Sequence, residues 1–187
     1  SACGGEKHQG VIAYTAAHKY AEIEDIFAAA AEKDEAPFIV ITDGITDPHN
    51  LGSIIRTANA AGAHGVIIPK NRNAALNAVV SKVSAGAVEY TPVARVTNLK
   101  STIEKLKKQG IWVVGTDLSA KMLPYECDLT GPIAVVIGSE GEGMSRLVRE
   151  ACDFLVKIPM LGSIESLNAS VAAGVLLYEA VRQRSKI

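Results

Sequence analysis

Residues 38–68, FIVITDGITDPHNLGSIIRTANAAGAHGVII, contain the pattern that decides the fold. An apolar, β-branched run at the start predicts a buried strand, and a second such run closes the stretch. Between them, apolar residues at helical spacing predict a helix that begins after Asp47-Pro48, an N-cap followed by a first-turn proline. Gly62, just after the last periodic residue, is a typical helix end. The stretch predicts a strand–helix–strand unit of an α/β protein.

The same alternation continues along the chain. Gly86 and Gly110 are further predicted helix ends, and Asn98 is a further N-cap. Apolar strands that alternate with helices are typical of a parallel sheet covered on both faces. The predicted strands lie at 38–42, 65–68, 89–93, 111–115, 133–137 and 154–158, and the predicted helices at 18–33, 50–61, 73–85, 99–109, 145–152 and 167–184.

Composition is that of a soluble globular protein. Among 187 residues, 48% are hydrophobic and 21% are charged, and 19 basic side chains face 20 acidic ones, for a net charge of −1. These values exclude a disordered chain, a collagen-like chain and a disulfide scaffold, and no stretch predicts a membrane span or a signal peptide. The chain as a whole has no excess of basic residues that would indicate nucleic-acid binding, so an anionic partner would have to bind a local basic patch.

The cysteines and histidines predict neither disulfides nor a metal site. The cysteines are odd in number and show no paired spacing, which predicts reduced thiols and a cytoplasmic protein. The histidines form no cluster with ligand spacing. The residues concerned are Cys3, Cys127 and Cys152, and His8, His18, His49 and His64.

Three stretches follow predicted strands, where open parallel sheets bind ligands. In the first, Arg56 points away from the apolar stripe of its helix and Asn50 lies in the first turn, where free N–H groups favour an anion. Either Arg56 is a solvated arginine on an exposed face, or the two side chains clamp a phosphate.

The second stretch is IAVVIGSEGEGMSRLV, residues 133–148, a buried strand followed by a glycine-rich loop and a helix. The spacing G-x-x-G-x-G is neither that of a dinucleotide site nor that of a P-loop. Glu140 and Glu142 would also repel a pyrophosphate. The loop is therefore either a ligand cradle of another kind or an ordinary tight turn.

The third stretch is IPMLGSIESLNASVAAGVLLYEAVRQR, residues 158–184. Ser166 or a neighbour can cap the last helix, with Asn168 in its first turn. The helix is apolar nearly all round, which indicates burial on more than one side. It lies either deep in the core or between two subunits.

Together, DPHNLGSIIRTANAAGAHGVIIP, VIGSEGEGMSRLV and the third stretch resemble the signature motifs of SpoU/TrmH-type RNA 2′-O-ribose methyltransferases, a branch of the SPOUT class. The nearest resemblance is to bacterial 23S rRNA guanosine-2′-O-methyltransferases. It includes HQGVIA, the segment that joins an N-terminal RNA-binding module to the catalytic domain. The resemblance implies that residues 1–10 are a linker stub from an absent module, and that residues 11–187 are a catalytic domain with a C-terminal deep trefoil knot.

The resemblance also implies a site for S-adenosylmethionine and a ribose 2′-hydroxyl that attacks its methyl group. A guanidinium is a poor base, so Arg56 is expected to hold a phosphate and developing oxyanion charge. Asn168 and Ser166 are expected to orient the hydroxyl, and Glu140 to order Arg56 or the loop. The implied cofactor residues are Gly115, Thr116, Gly138, Ile158 and Leu167, and the implied catalytic residues are Asn50, Arg56, Glu140, Ser166 and Asn168.

The implied partners are RNA and a second copy of the chain, which would form a homodimer through the last helix. Guanosine in 23S rRNA is the expected target, and transfer RNA is the main competitor. The sequence also leaves open a non-catalytic RNA-binding factor and a dinucleotide-dependent oxidoreductase, although the glycine spacing of the oxidoreductase is missing. Local cations that could contact RNA are Lys70, Arg72, Lys82, Arg146 and Arg149.

Overall fold

The computed structural model describes residues 19–185, which contain six α-helices and six strands; they alternate except that β4 and β5 are joined without an α-helix. The linker stub at residues 1–10 lies outside the described residues, as do Cys3, His8 and His18. The helices are α1 (Ile23–Glu32), α2 (Pro48–Ala60), α3 (Ala78–Val83), α4 (Leu99–Lys108), α5 (Arg146–Ala151) and α6 (Ala169–Arg184). The strands are β1 (Phe38–Asp43), β2 (Gly65–Pro69), β3 (Val93–Val96), β4 (Trp112–Thr116), β5 (Ile133–Gly138) and β6 (Phe154–Val156).

The strands form one parallel sheet in the order β3-β2-β1-β5-β4-β6. The two central strands are buried along nearly their whole length, and they pair in register from Phe38 with Ile133 to Asp43 with Gly138. The predicted α/β class with an apolar parallel sheet is confirmed. The chain order reverses between β1 and β5, which is where such sheets open a crevice for ligands.

Helices cover both faces of the sheet, because alternate residues of each strand point to opposite sides. Phe38 and Val40 pack with α2, α3 and α6 on one face. Ile39 and Ile41 pack with α1, α4 and α5 on the other. Two continuous apolar layers result, and they leave the ends of the strands free for polar loops.

The segment between β2 and β3 differs from its prediction. The helix predicted over Asn73–Ala85 is reduced to α3, because Asn73 turns its side-chain oxygen to the backbone N–H of Ile45 at 3.0 Å. The strand predicted over 89–93 is wrong. A single 3₁₀ turn occupies Ala87–Glu89, and β3 begins only at Val93.

Helix ends were predicted with mixed success. Asp47 and Asn98 cap α2 and α4, and Gly62 and Gly110 follow α2 and α4 with φ of +76° and +83°. Gly86 does not directly follow α3, because that helix ends earlier, at Val83.

Two predicted helix starts are also wrong. Helix α1 begins at Ile23 rather than at residue 18, with Glu22 as its N-cap. Asn168 is the N-cap of α6 rather than a first-turn residue, and Ser166 does not cap that helix.

Helix α6 connects the two ends of the sheet. Its 16 residues span about 24 Å at about 1.5 Å per residue. At its end, the half-buried guanidinium of Arg184 donates to the carbonyl oxygens of Leu129 at 3.0 Å and Ala36 at 3.1 Å. It also stacks over the ring of Phe38. These contacts fix the far end of α6, so that its N-terminus lies at the carboxyl ends of the strands.

Candidate active site

Three loops at the carboxyl ends of β4, β5 and β6 enclose a cavity of about 310 Å³. They contribute residues from 116–119, 138–144 and 156–167. Ligand sites in parallel sheets lie at this edge, close to the point where the strand order reverses. The cavity is therefore the candidate binding site.

The cavity wall is built largely from backbone and apolar side chains, among them Ile137, Val156, Ile158, Met160 and Leu167. Gly138 is required by packing, because a Cβ there would lie 2.4 Å from the carbonyl carbon of Gly143 and from the nitrogen of Met144. Gly115 does not line the cavity. It lies behind Met144, whose Cε would be 2.6 Å from an added Cβ. Of the five implied cofactor residues, the structure places Thr116, Gly138, Ile158 and Leu167 in the cavity wall.

The glycine-rich loop after β5 is a tight turn that also lines the cavity. Ser139 and Gly143 exchange two backbone hydrogen bonds of 3.0 Å. Gly141 and Gly143 have φ of +84° and +69°, a region that other residues rarely adopt. The two interpretations of this loop are therefore compatible, since the turn itself forms the cradle.

Beside the cavity, Glu140 accepts hydrogen bonds from three donors on two helices. Its Oε1 accepts from Asn50 Nδ2 at 3.0 Å, from Asn168 Nδ2, and from the backbone N–H of Ala169 at 3.1 Å. Asn168 Nδ2 also donates to Asn50 Oδ1 at 3.0 Å. Residues from all three quoted stretches thus meet at one carboxylate, and Asn50, Glu140 and Asn168 are called the polar cluster below.

The fold explains why a carboxylate is stable at this point. Asn50 lies in the first turn of α2, and Asn168 caps α6 by accepting from the backbone N–H groups of Ser170 and Val171. Both helices therefore direct their N-termini toward Glu140, and helix N-termini favour negative charge. The cluster fixes the glycine-rich loop against α2 and α6.

In the part of the chain that the structure describes, the two remaining catalytic candidates form no hydrogen bond with the residues of the cluster. Ser166 is exposed and lines the cavity. Arg56 is exposed on α2, six residues beyond Asn50, which is about 9 Å along the axis and about 120° around it. Within residues 19–185, no hydrogen bond or ion pair holds Arg56, and it does not line the cavity. No contact joins Glu140 to Arg56 in the single chain.

The cavity wall also contains an ion pair that the sequence analysis did not assign to the cofactor site. Asp117 directly follows β4, and its Oδ2 lies 3.3 Å from Nη1 of Arg149. Burial raises the pKa of Asp117, but hydrogen bonds from Ser119 and the pairing with Arg149 outweigh it and hold that pKa below its usual value. Asp117 is therefore charged at neutral pH. Its place two residues after the strand predicted at 111–115 was the signal that could have identified Asp117.

Other reactive groups do not point to a second chemistry. Cys152 is packed against Gly115 and lies outside the cavity, and burial raises the pKa of its thiol to about 12. In the described part of the chain, no three His, Cys, Asp or Glu side chains are grouped to hold a metal ion. Over the same residues, no helix is long and apolar enough to span a bilayer.

Comparison with known proteins gives one consistent result. The SpoU rRNA Methylase family model matches residues 37–178. YacO of Bacillus subtilis, a protein assigned to the TrmH family of tRNA/rRNA methyltransferases, is 58% identical over 97% of this chain and 73% of its own length. The 23S rRNA (guanosine-2′-O-)-methyltransferase RlmB of Escherichia coli K12 is 51% identical over 97% of this chain and 74% of its own. The SpoU methyltransferase AviRb from Streptomyces viridochromogenes, solved with the cofactor AdoMet, is 38% identical with a TM-score of 0.75, over 80% of this chain and 58% of AviRb.

Proposed function

Because this chain belongs to the SpoU rRNA methylase family, we propose that it transfers the methyl group of S-adenosylmethionine to a ribose 2′-hydroxyl of RNA, with a guanosine of 23S rRNA as the target. The observation that carries the proposal is the polar cluster, which joins all three quoted stretches beside a glycine-lined cavity. The similarity to RlmB supports guanosine in 23S rRNA.

The cavity fits S-adenosylmethionine better than a nucleotide that carries phosphates. Its apolar, backbone-lined wall suits an adenine ring, and Thr116, Gly138, Ile158 and Leu167 would hold the cofactor. Three carboxylates, those of Asp117, Glu140 and Glu142, also line the cavity, against two cations, Arg149 and Lys157. That acidic excess favours a sulfonium and opposes a pyrophosphate.

When bound, S-adenosylmethionine supplies an activated methyl group, so the protein has to orient the nucleophile and accept its proton. The Oε1 atom of Glu140 is occupied by its three donors, whereas Oε2 has no hydrogen-bond partner among the described residues. We assign Oε2 as the hydrogen-bond acceptor that orients the ribose 2′-hydroxyl. Asn50 and Asn168 hold that carboxylate in place. Ser166 lines the same cavity and is proposed to contact the same hydroxyl.

We propose that two copies of the chain form a homodimer through α6. One face of this helix is buried in the core, yet Val171, Val175 and Tyr178 form a second apolar stripe that is 51%, 43% and 53% exposed. Burial of a fully exposed apolar side chain contributes about 1.5–3 kcal/mol, and about half of that is still to be gained at each of these half-exposed positions. In such a dimer, residues of both copies lie near each site, and Arg56 is the side chain expected to reach across. Light scattering at micromolar concentration tests this, and a monomeric mass for the wild-type chain would contradict it.

Three further features belong to the same proposal. The part of the chain after β5 is proposed to thread a deep trefoil knot. Residues 1–10 are proposed to be the stub of a linker from an RNA-binding module, and residues 11–187 the catalytic domain. The protein is proposed to act in the cytoplasm, where its cysteines would stay reduced.

Two experiments test the proposed function. Calorimetric titration with S-adenosylhomocysteine and with NAD separates a methyltransferase from an oxidoreductase, and only S-adenosylhomocysteine is expected to bind. Mapping of ribose methylation across rRNA and tRNA in cells lacking the gene identifies the target. Loss of one 2′-O-methylguanosine in 23S rRNA is expected. Loss in tRNA would favour the alternative substrate, and no loss at all would favour a non-catalytic RNA-binding factor.

A further inference from the structure

A second groove, of about 800 Å³, lies beside the cofactor cavity over the carboxyl ends of β1, β2 and β3. Its size falls within the range of about 300–1,000 Å³ that is typical of ligand sites. The glycine-rich loop is the common wall of the groove and the cavity. A ligand in the groove therefore lies directly against the bound cofactor.

Three cations from three separate segments line this groove: Arg72 after β2, Lys100 in the first turn of α4 and Arg146 in the first turn of α5. Arg72 has no ion pair within residues 19–185. Lys100 and Arg146 form only exposed pairs within their own helices, with Glu104 at 3.7 Å and Glu150 at 3.5 Å. Because exposed pairs of this kind are weak, an incoming phosphate can replace them.

The groove is electrically asymmetric. Its carboxylates, Asp43, Glu140 and Glu142, lie at the end shared with the cavity, since Asp43 pairs in register with Gly138. Asp43 is already engaged by the backbone N–H of Ser145 at 2.7 Å. The strand order places β3 three strand spacings from β5, or about 14 Å away. Two of the cations thus lie away from the reacting end, on the segments that follow β2 and β3.

We infer that this groove holds the RNA strand that flanks the methylated nucleotide, an inference that rests on the proposed function. The target ribose lies at the Glu140 end, against the cofactor cavity. Phosphates of the neighbouring nucleotides contact Arg72, Lys100 and Arg146. A chain with a net charge of −1 can bind RNA in this way, because the contacts are concentrated in one patch.

The test compares two triple variants of the full chain with equal loss of charge. The groove variant carries Arg72→Ala, Lys100→Ala and Arg146→Ala. The control replaces three exposed lysines outside the groove: Lys33→Ala, Lys105→Ala and Lys108→Ala. The probe is a fluorescently labelled single-stranded RNA with a central guanosine, titrated by anisotropy at several salt concentrations. S-adenosylhomocysteine affinity is measured by calorimetry for every variant.

The groove variant is expected to bind RNA about tenfold or more weakly, and the slope of log affinity against log salt to fall by about 2, since each phosphate contact on a single strand contributes about 0.7. The control is expected to bind like the wild type, and cofactor affinity to stay unchanged in both variants. Equal losses of RNA affinity in the two variants, or no RNA binding by the wild-type chain, would overturn the assignment of the groove as the RNA site. Methyl transfer to 23S rRNA is scored separately. A wild-type chain that binds RNA through the groove yet transfers no methyl group would overturn the proposed function while supporting the groove.

Discussion

Replacement of Asn168 by alanine separates structural support from catalysis. The side chain caps α6 through the N–H groups of Ser170 at 3.0 Å and Val171 at 3.3 Å, and it also binds Asn50 and Glu140. Loss of an N-cap costs about 1 kcal/mol of unfolding free energy. Loss of the exposed hydrogen bond to Glu140 adds about 1 kcal/mol. The expected loss of stability is therefore about 1–2 kcal/mol, or a few degrees in Tm.

The effect on methyl transfer is expected to be much larger. Without Asn168, the carboxylate of Glu140 loses a donor that fixes it beside the reacting hydroxyl. Loss of a comparable preorganised donor reduces rates about a hundredfold or more. Affinity for S-adenosylhomocysteine is expected to stay near the wild-type value, because Asn168 does not line the cavity.

Asn77→Ala is the matched control, since Asn77 caps α3 through the N–H of Val80 at 3.0 Å and lines neither the cavity nor the groove. Urea unfolding, calorimetry and single-turnover methylation are measured for both variants. Asn168→Asp provides a second comparison, because aspartate retains the cap but replaces the amide donor with a carboxylate. Single-turnover rates of Asn168→Ala within about threefold of Asn77→Ala would refute the catalytic role of the cluster.

The site and the core support three further predictions. Arg56→Ala should keep its fold and its cofactor affinity, measured by calorimetry, yet its single-turnover rate should fall about a hundredfold. Arg56→Lys should restore little of that rate. Normal turnover in Arg56→Ala would show that Arg56 is only a solvated surface residue. Gly138→Ala should abolish S-adenosylhomocysteine binding by calorimetry, because the new Cβ collides with loop backbone at 2.4 Å, and retained affinity would contradict the packing of that loop. Burial lowers the pKa of His64 below its ordinary value of 6.5, so the unfolded chain binds the proton more readily than the folded chain. The unfolding free energy should therefore fall as pH drops below about 6.5, by less than about 1.4 kcal/mol per pH unit. Urea unfolding at pH 7.5 and 5.5 measures this, and an identical pH slope in His64→Gln would exclude His64 as its source.

Much of the fold could be predicted from local patterns. The apolar strands and their separation by periodic helices required a doubly covered parallel sheet. The segment between β2 and β3 was mispredicted because a long-range contact decided it. Asn73 is suitable for an N-cap, but its oxygen binds the N–H of Ile45, 28 residues away. No local pattern contains that partner.

The site could be predicted only in part. Asn50, Glu140 and Asn168 were identified as candidates, but the spacing between stretches could not show that one carboxylate oxygen binds both asparagines. Gly115 follows the predicted strand pattern yet lies behind Met144, because the side chain from the next loop covers it. Glu140 was expected to order either Arg56 or the loop, and only the three-dimensional contacts show that its hydrogen bonds fix the loop against α2 and α6.

The cavity and the polar cluster are proposed to act together in methylating a ribose hydroxyl of RNA. To test this directly, the full chain is incubated with 23S rRNA and S-adenosylmethionine labelled in its methyl group. The RNA is then digested to nucleosides, and the label in each nucleoside is measured. Label is predicted in 2′-O-methylguanosine with the wild-type chain and is expected to be nearly absent with Asn168→Asp. Label in a base-methylated nucleoside, or no transfer to RNA by a wild-type chain that binds S-adenosylhomocysteine, would contradict the claim.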